Sequence, residues 1–249
     1  MAKDQIHIKE NLYLYDKPKE GHSYVICVDV AKGRGQDYST FNIIDVSEKP
    51  FQQVGVFRDN KLSPMLFPDI IYKYAMMYNE AYVVVESNDQ GSVVCNGLYY
   101  DLEYENLFVE SSIKANAVGV TMTKRVKRIG CSTIKDLIEE KRLMIHDAQT
   151  IVELSTFVSK GNSFQAIAPN HDDLMMNLVL FGWFTSTDVF ESLTNINMKD
   201  LLYRERLKEI QDDMLPFGII RDSHGVKADK YIKDDDGNIW FETEWKSNY

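Results

Sequence analysis

Four acidic residues in this 249-residue chain stand beside apolar runs, where an acid is least at home. Asp29 closes the run Tyr24-Val25-Ile26-Cys27-Val28, and Glu86 closes Ala81-Tyr82-Val83-Val84-Val85. Asp172 and Asp173 open a third run, Leu174-Met175-Met176-Asn177-Leu178-Val179-Leu180-Phe181. A carboxylate held in apolar surroundings is costly unless a partner or a cation answers its charge. Carboxylates from three elements converging on one spot would repel one another and need a cation. Oxygen ligands of this kind suit Mg²⁺ or Mn²⁺, as one ion or two. A pair of such ions about 4 Å apart can activate a water and stabilise a leaving oxygen, the chemistry of phosphodiester cleavage.

Each acid also has an ordinary explanation. Asp172 and Asp173 suit the first turn of a helix, where acids complement the macrodipole. Glu86 could be the solvated end of a strand. Asp29 has the weakest such explanation, and the three sites together favour a metal centre. His171 reads as a helix-start residue or a donor to a neighbouring acid. After Asp29 comes a glycine-flanked turn, Gly33-Arg34-Gly35, and a further acid, Asp37.

The elements that must position these residues can be read coarsely. Residues 6–15 form a strand or an extended arm, and strands follow near 24–30, 40–45 and 53–57. Pro68 opens a helix to about Asn79, with proline at the first turn. A buried strand covers 81–86, then a helix runs from Gly91 to about Glu103 and a short strand covers 107–110. A long helix spans about 124–141, a short strand 143–145, a helix Thr150 to Val158 and a short strand 162–166. Asn170 caps an apolar helix to about Thr187. Three early strands followed by alternating helices and strands predict an α/β fold with a mixed sheet flanked by helices. Residues 1–20 read as an arm or linker, 21–195 as the main domain and 196–249 as an appendage. That appendage holds a charged helix over 198–213 and a hairpin turning at Asp234-Asp235-Asp236-Gly237-Asn238.

Composition narrows the function classes. The net charge of −10 argues against a protein that coats nucleic acid generally. It leaves room for a local basic patch, and the one dense cluster is Lys124-Arg125-Val126-Lys127-Arg128. As a lone cluster it reads as a solvated helix face. Beside a phosphodiesterase site it becomes a candidate phosphate track, with Arg34 as a second contact. No Gly-x-x-x-x-Gly-Lys-Ser/Thr phosphate loop occurs, so the chain carries no Walker-type ATPase motif. Cys27, Cys95 and Cys131 are odd in number and far apart, and read as reduced core thiols. No apolar run approaches the roughly 18 residues of a membrane span.

The phrases Asp29 through Tyr38, Tyr82 through Glu86, Tyr99 through Glu105, Gly130 through Glu139, His171 through Met176, and Phe181-Gly182-Trp183 together resemble one family. The family they resemble is the C-terminal nuclease domain of the large terminase subunit of tailed phages, specifically of T-even-like phages. The likeness covers roughly residues 12–190. It implies an RNase H-like fold close to RuvC-type resolvases, and metal-dependent cutting of concatemeric double-stranded phage DNA during genome packaging. The family's catalytic triad falls on Asp29, Glu86 and Asp173, with Asp172 a further candidate metal ligand and Asp37 and His171 in support. Lys124, Arg125, Lys127, Arg128 and Arg34 become the candidate DNA contacts. Implied partners are the terminase ATPase domain, the portal and the small terminase subunit. The implied place of action is the cytoplasm of the infected host, docked on the prohead portal. The missing ATPase half implies an isolated domain or fragment. Two positions depart from the family's pattern: Lys32 stands where relatives carry another acid, and Pro64 where they carry a functional histidine. The rival readings are a Holliday-junction resolvase-like nuclease and a non-catalytic module that grips DNA or docks to the portal.

Overall fold

In the computed structural model, the described residues are 7–9, 11–35, 37–111, 116–160, 163–167, 171–195, 203, 206, 231–233 and 239–241. The chain divides into two compact units, Met1–Tyr203 and Arg204–Tyr249.

The first unit is organised by a mixed sheet. Its strands begin with β1 (His7–Lys9), β2 (Leu12–Leu14), β3 (Tyr24–Asp29), β4 (Ser39–Asp45) and β5 (Phe51–Asp59). Helix α1 (Phe67–Met77) leads to β6 (Tyr82–Val85), and α2 (Gly91–Asn96) continues into a π-helical turn over Gly97–Asp101. Next come β7 (Val109–Ser111), β8 (Asn116–Val118), α3 (Lys124–Glu139), β9 (Leu143–Met144) and α4 (Ala148–Thr156). The hairpin β10 (Phe157–Lys160) and β11 (Ser163–Ala166) precedes α5 (Asp173–Phe184). Residues 188–195 are also helical. In the second unit β12 (Tyr231–Lys233) pairs antiparallel with β13 (Ile239–Phe241).

The main sheet runs β1-β2-β5-β4-β3-β6, with β9 joining β5. The meander β3-β4-β5 is antiparallel, and β6 then lies parallel to β3, reached through α1. Both faces are covered, which explains why β3 and β6 read as unbroken apolar runs. Tyr24, Ile26 and Val28 face one core with Phe41, Phe67, Ile71 and Leu98. Val25 and Cys27 face the other, with Val84, Leu178, Val179 and Phe181. All three cysteines are free thiols, with Cys27 and Cys95 buried. No described helix is long and apolar enough to cross a membrane.

Most expected elements are present, with local shifts. The helix expected from Gly91 to Glu103 widens into the π turn after Asn96. The helix expected over Thr150 to Val158 starts earlier and ends at Thr156, and Phe157 begins β10 instead. Asn170, the turn at 234–238, and the helix over 198–213 apart from the helical Tyr203 and Arg206 lie outside the described residues.

Helix α5 is apolar on nearly every side because it is sandwiched between the sheet and α3. The two helices approach through glycines. A Cβ at Gly130 would overlap the carbonyl oxygen of Val179, and one at Gly182 would lie 2.6 Å from both the Gly130 oxygen and Ile134 Cγ1. Backbone, unlike a flexible side-chain tip, cannot step aside cheaply. Gly130→Ala is therefore expected to destabilise the protein by about 1–3 kcal/mol through overpacking. Urea unfolding checks this, and a loss below a few tenths of a kcal/mol would show that the helices can separate freely.

Candidate active site

Register brings the first two acids together. Val28 pairs with Val85 in the parallel β3-β6 ladder, and the Glu86 N–H donates to the Val28 carbonyl at 3.0 Å. Asp29 and Glu86 thus emerge side by side at the C-terminal ends of neighbouring strands. The chain must turn sharply after Glu86, and Gly91 packs on the Glu86 carbonyl where any Cβ would overlap it. Val120 forms an isolated parallel bridge with Glu86 on the far side and also accepts the Ser87 N–H.

The third acid arrives on α5. Asp173 is its first residue, and its Oδ2 accepts the backbone N–H of Tyr38 at 3.2 Å. His171 Nδ1 lies 3.8 Å from the same oxygen, and its ring sits edge-on to Tyr38 at 5.5 Å. Asp172 takes the N-cap position, but its carboxylate accepts the Ala166 N–H at 3.3 Å rather than capping the helix.

The acids form one electrostatic unit. Asp29 keeps partial solvent contact, yet protein crowds its carboxyl. Burial first, then the charges of Glu86 and Asp173, and last that of Asp172, hold its pKa well above the ordinary aspartate value, while the Val30 N–H pulls it back. Burial pushes Glu86 up to about 7, with Lys127 opposing and Asp89 adding to the shift. Burial likewise pushes Asp173 up to about 6, against the Tyr38 N–H and His171, and with help from Asp37 and Asp172. Among the described residues, no three acidic, histidine or cysteine side chains are gathered tightly enough to cage an ion. The charges of Glu86 and Asp173 both act on Asp29, which links the three acids.

The basic cluster lies next to them. Lys124, Lys127 and Arg128, in the first turns of α3, line a cavity of about 290 Å³ together with Glu86, Thr123, Met122, Phe164 and Met176. Arg125 is exposed outside that lining, and Arg34 is exposed in the glycine turn. Gly33 and Gly35 take positive φ there, +66° and +80°, and a Cβ on Gly33 would meet the Leu62 carbonyl at 2.5 Å. Lys32 Nζ stands 4.0 Å from Asp89, both of them exposed.

Sequence reading missed what lies behind the acids. Thr40, Asn42 and Gln53 are buried polar residues under α5. Asn177 donates to Thr40 Oγ1 at 2.8 Å, and Thr40 Oγ1 donates to the Asp173 carbonyl at 3.3 Å. Asn42 donates to the Leu174 carbonyl at 3.2 Å and accepts from Gln53 at 2.8 Å. One signal was available: Asn177 is the one polar residue between Leu174 and Phe181 in an otherwise apolar helix.

An antiparallel three-stranded meander, a fourth strand parallel to its first, and acids at those two strand ends facing a helix start define an RNase H-like α/β domain. A family model described as the terminase RNaseH-like domain matches residues 26–181, more than half of the chain, and the chain belongs to that family. It is similar to the large terminase nuclease from thermophilic phage G20c with bound magnesium, at 18% identity and a TM-score of 0.59 over 73% of this chain and 92% of that one. The same nuclease with bound cobalt gives 19% identity and a TM-score of 0.58 over 73% and 92%. The Thermus phage P74-26 large terminase nuclease domain gives 20% identity and 0.56 over 72% and 88%. At these identities the likeness shows a shared fold.

Raised carboxyl values make stability depend on pH. A folded protein that holds more protons than its unfolded chain loses stability as pH rises. For these acids the loss starts at about pH 4, the unfolded value. It is complete above about 6 for Asp173 and about 7 for Glu86. In EDTA, Asp29→Asn should be more stable than the wild type at pH 7.5 by about 1 kcal/mol or more. That margin should shrink towards pH 4 in urea unfolding. A margin independent of pH would remove mutual repulsion from the site.

Proposed function

We propose that this chain is a divalent-metal-dependent DNA endonuclease that cuts double-stranded phage DNA during genome packaging. The observation that carries this is the placing of Asp29 and Glu86 on adjoining parallel strand ends with Asp173 beside them, all three held towards protonation by burial, and Asp29 by the charges of the other two as well. The donor set fits a hard divalent cation: carboxylate oxygens whose ionisation burial and neighbouring negative charge oppose and a cation would favour. Asp29, Glu86 and Asp173 would hold it, with Asp172 nearest in reserve. When bound, Mg²⁺ or Mn²⁺ would supply Lewis-acid charge against a phosphodiester. Related nucleases of this fold carry magnesium or cobalt, which supports a divalent ion here.

The chain's own residues divide the remaining work. The three acids accept: they hold cationic charge and orient what is bound between them. Lys127 opposes the negative charge at Glu86 from the cavity wall. Lys124, Lys127 and Arg128 offer cationic contacts to DNA phosphates beside the acids, with Arg125 and Arg34 at the exposed margins. His171 and Asp37 tune the charge at Asp173. In its natural setting the domain would work with the ATPase domain of a large terminase. Docking on the portal and contact with the small terminase subunit, in the cytoplasm of an infected host, complete this reading. The T-even-like affinity rests on the sequence phrases alone.

Plasmid DNA tests it. With Mg²⁺ or Mn²⁺ the wild type should nick and linearise supercoiled plasmid, and EDTA should stop it. Asp29→Asn, Glu86→Gln and Asp173→Asn should each slow cutting by about 100-fold or more while still retarding DNA in a gel. Folded variants that cut at the wild-type rate would leave the non-catalytic gripping module as the better reading.

A further inference from the structure

The first turn of α5 is capped from an unusual place. Its local candidate, Asp172, turns its carboxylate to the Ala166 N–H, and Asp173 turns its own to the Tyr38 N–H. The exposed donors of the helix start are met instead by Glu153, from α4. Its Oε2 accepts the N–H of Leu174 at 2.8 Å and of Met175 at 3.1 Å. Glu153 is fully buried, and its Oε1 accepts no hydrogen bond. Its counter-charge is Arg58, with Nη2 3.9 Å from that oxygen.

Arg58 has a second contact. Its guanidinium carbon lies over the Tyr38 ring, 3.7 Å from the centroid. Tyr38 is the residue whose backbone N–H holds Asp173. Two lines therefore run from one buried ion pair to one acid: Glu153 grips the helix that carries Asp173, and Arg58 backs the residue that hydrogen-bonds its carboxylate.

Burying a carboxylate next to an acidic centre is an expensive way to cap a helix, since a serine or asparagine at the N-cap does so cheaply. A remote cap makes sense if both helix-start acids are committed elsewhere and the helix must not shift. We infer that Glu153, paired with Arg58, is a positioning residue that fixes Asp173 in the acid cluster. This rests on the reading of Asp173 as a metal ligand. Groups that orient ligands without touching the metal are worth about tenfold or more in affinity.

Two near-isosteric substitutions separate positioning from mere stability. Glu153→Gln keeps an oxygen that can accept the two N–H groups, whereas Glu153→Met keeps the volume and accepts nothing. Mn²⁺ affinity is measured by titration calorimetry on folded protein without DNA, beside kcat and KM for plasmid cleavage. Glu153→Gln should stay within about threefold of wild type, and Glu153→Met should weaken Mn²⁺ by about tenfold or more and lower kcat with KM unchanged. If Glu153→Met does not fold, Glu153→Asp, which draws the carboxylate back by one methylene, should show the same loss. Wild-type Mn²⁺ affinity in a folded Glu153→Met or Glu153→Asp variant overturns the inference. Asp29→Asn runs alongside. Where it loses Mn²⁺ and the Glu153 variants do not, only the positioning role fails. Where Asp29→Asn also binds like wild type, the metal-site reading itself fails.

Discussion

Like charges brought together out of water govern this molecule. Asp29, Glu86 and Asp173 occupy the same end of the sheet, and each is pushed towards its neutral form first by burial. Asp29 also bears the charges of the other two acids. An arrangement of this kind lowers the stability of the empty domain above the ordinary carboxylate range, so the rest of the fold has to hold it in place. A cation removes the repulsion. The same crowding that destabilises the empty site therefore favours the divalent ion the site would use.

The scaffold supplies that holding force in three ways. The parallel β3-β6 ladder fixes Asp29 against Glu86 through backbone hydrogen bonds, with no side-chain freedom in the spacing of the two Cα atoms. The glycine contacts at Gly130 and Gly182 let α3 and α5 approach until backbone meets backbone, so α5 has little room to slide. Beneath α5, Thr40, Asn42 and Asn177 hydrogen-bond its carbonyls and side chains to β4. Hydrogen-bonded buried groups fix register more sharply than apolar packing, because any shift strands a donor or acceptor. Asn177 takes part through its amide N–H, while its Oδ1 accepts no hydrogen bond. The close approach of α3 also brings Lys127 to the cavity that Glu86 lines.

Much of this was legible in the sequence, for physical reasons. A strand covered on both faces has to be apolar throughout, so an acid at the end of Tyr24–Val28 or Ala81–Val85 announces itself. The mixed sheet followed from three strands and then alternating elements. What stayed hidden depends on tertiary register. Nothing local marks Glu153 on α4 as the cap of a helix that starts 20 residues later. Nothing local marks Tyr38 as the residue whose backbone, not its phenol, serves Asp173. The π turn after Asn96 was also unreadable, because one extra residue in a helical turn leaves the apolar pattern nearly unchanged. The choice between Asp172 and Asp173 came from family resemblance. In the structure the two acids have separate partners, the Ala166 N–H for Asp172 and the Tyr38 N–H for Asp173.

The most direct measurement of the central claim is a ¹³C-detected carboxyl titration of Asp29, Glu86 and Asp173, with and without Mg²⁺. Without the ion, all three should titrate above their ordinary ranges, with midpoints near about 7 for Glu86 and about 6 for Asp173. Saturating Mg²⁺ should drive all three midpoints below the ordinary carboxylate value of about 4, because each ionised form then faces a dication. Midpoints that lie in the ordinary range without the ion, or that do not move when Mg²⁺ is added, would contradict a shared metal centre built from these three acids.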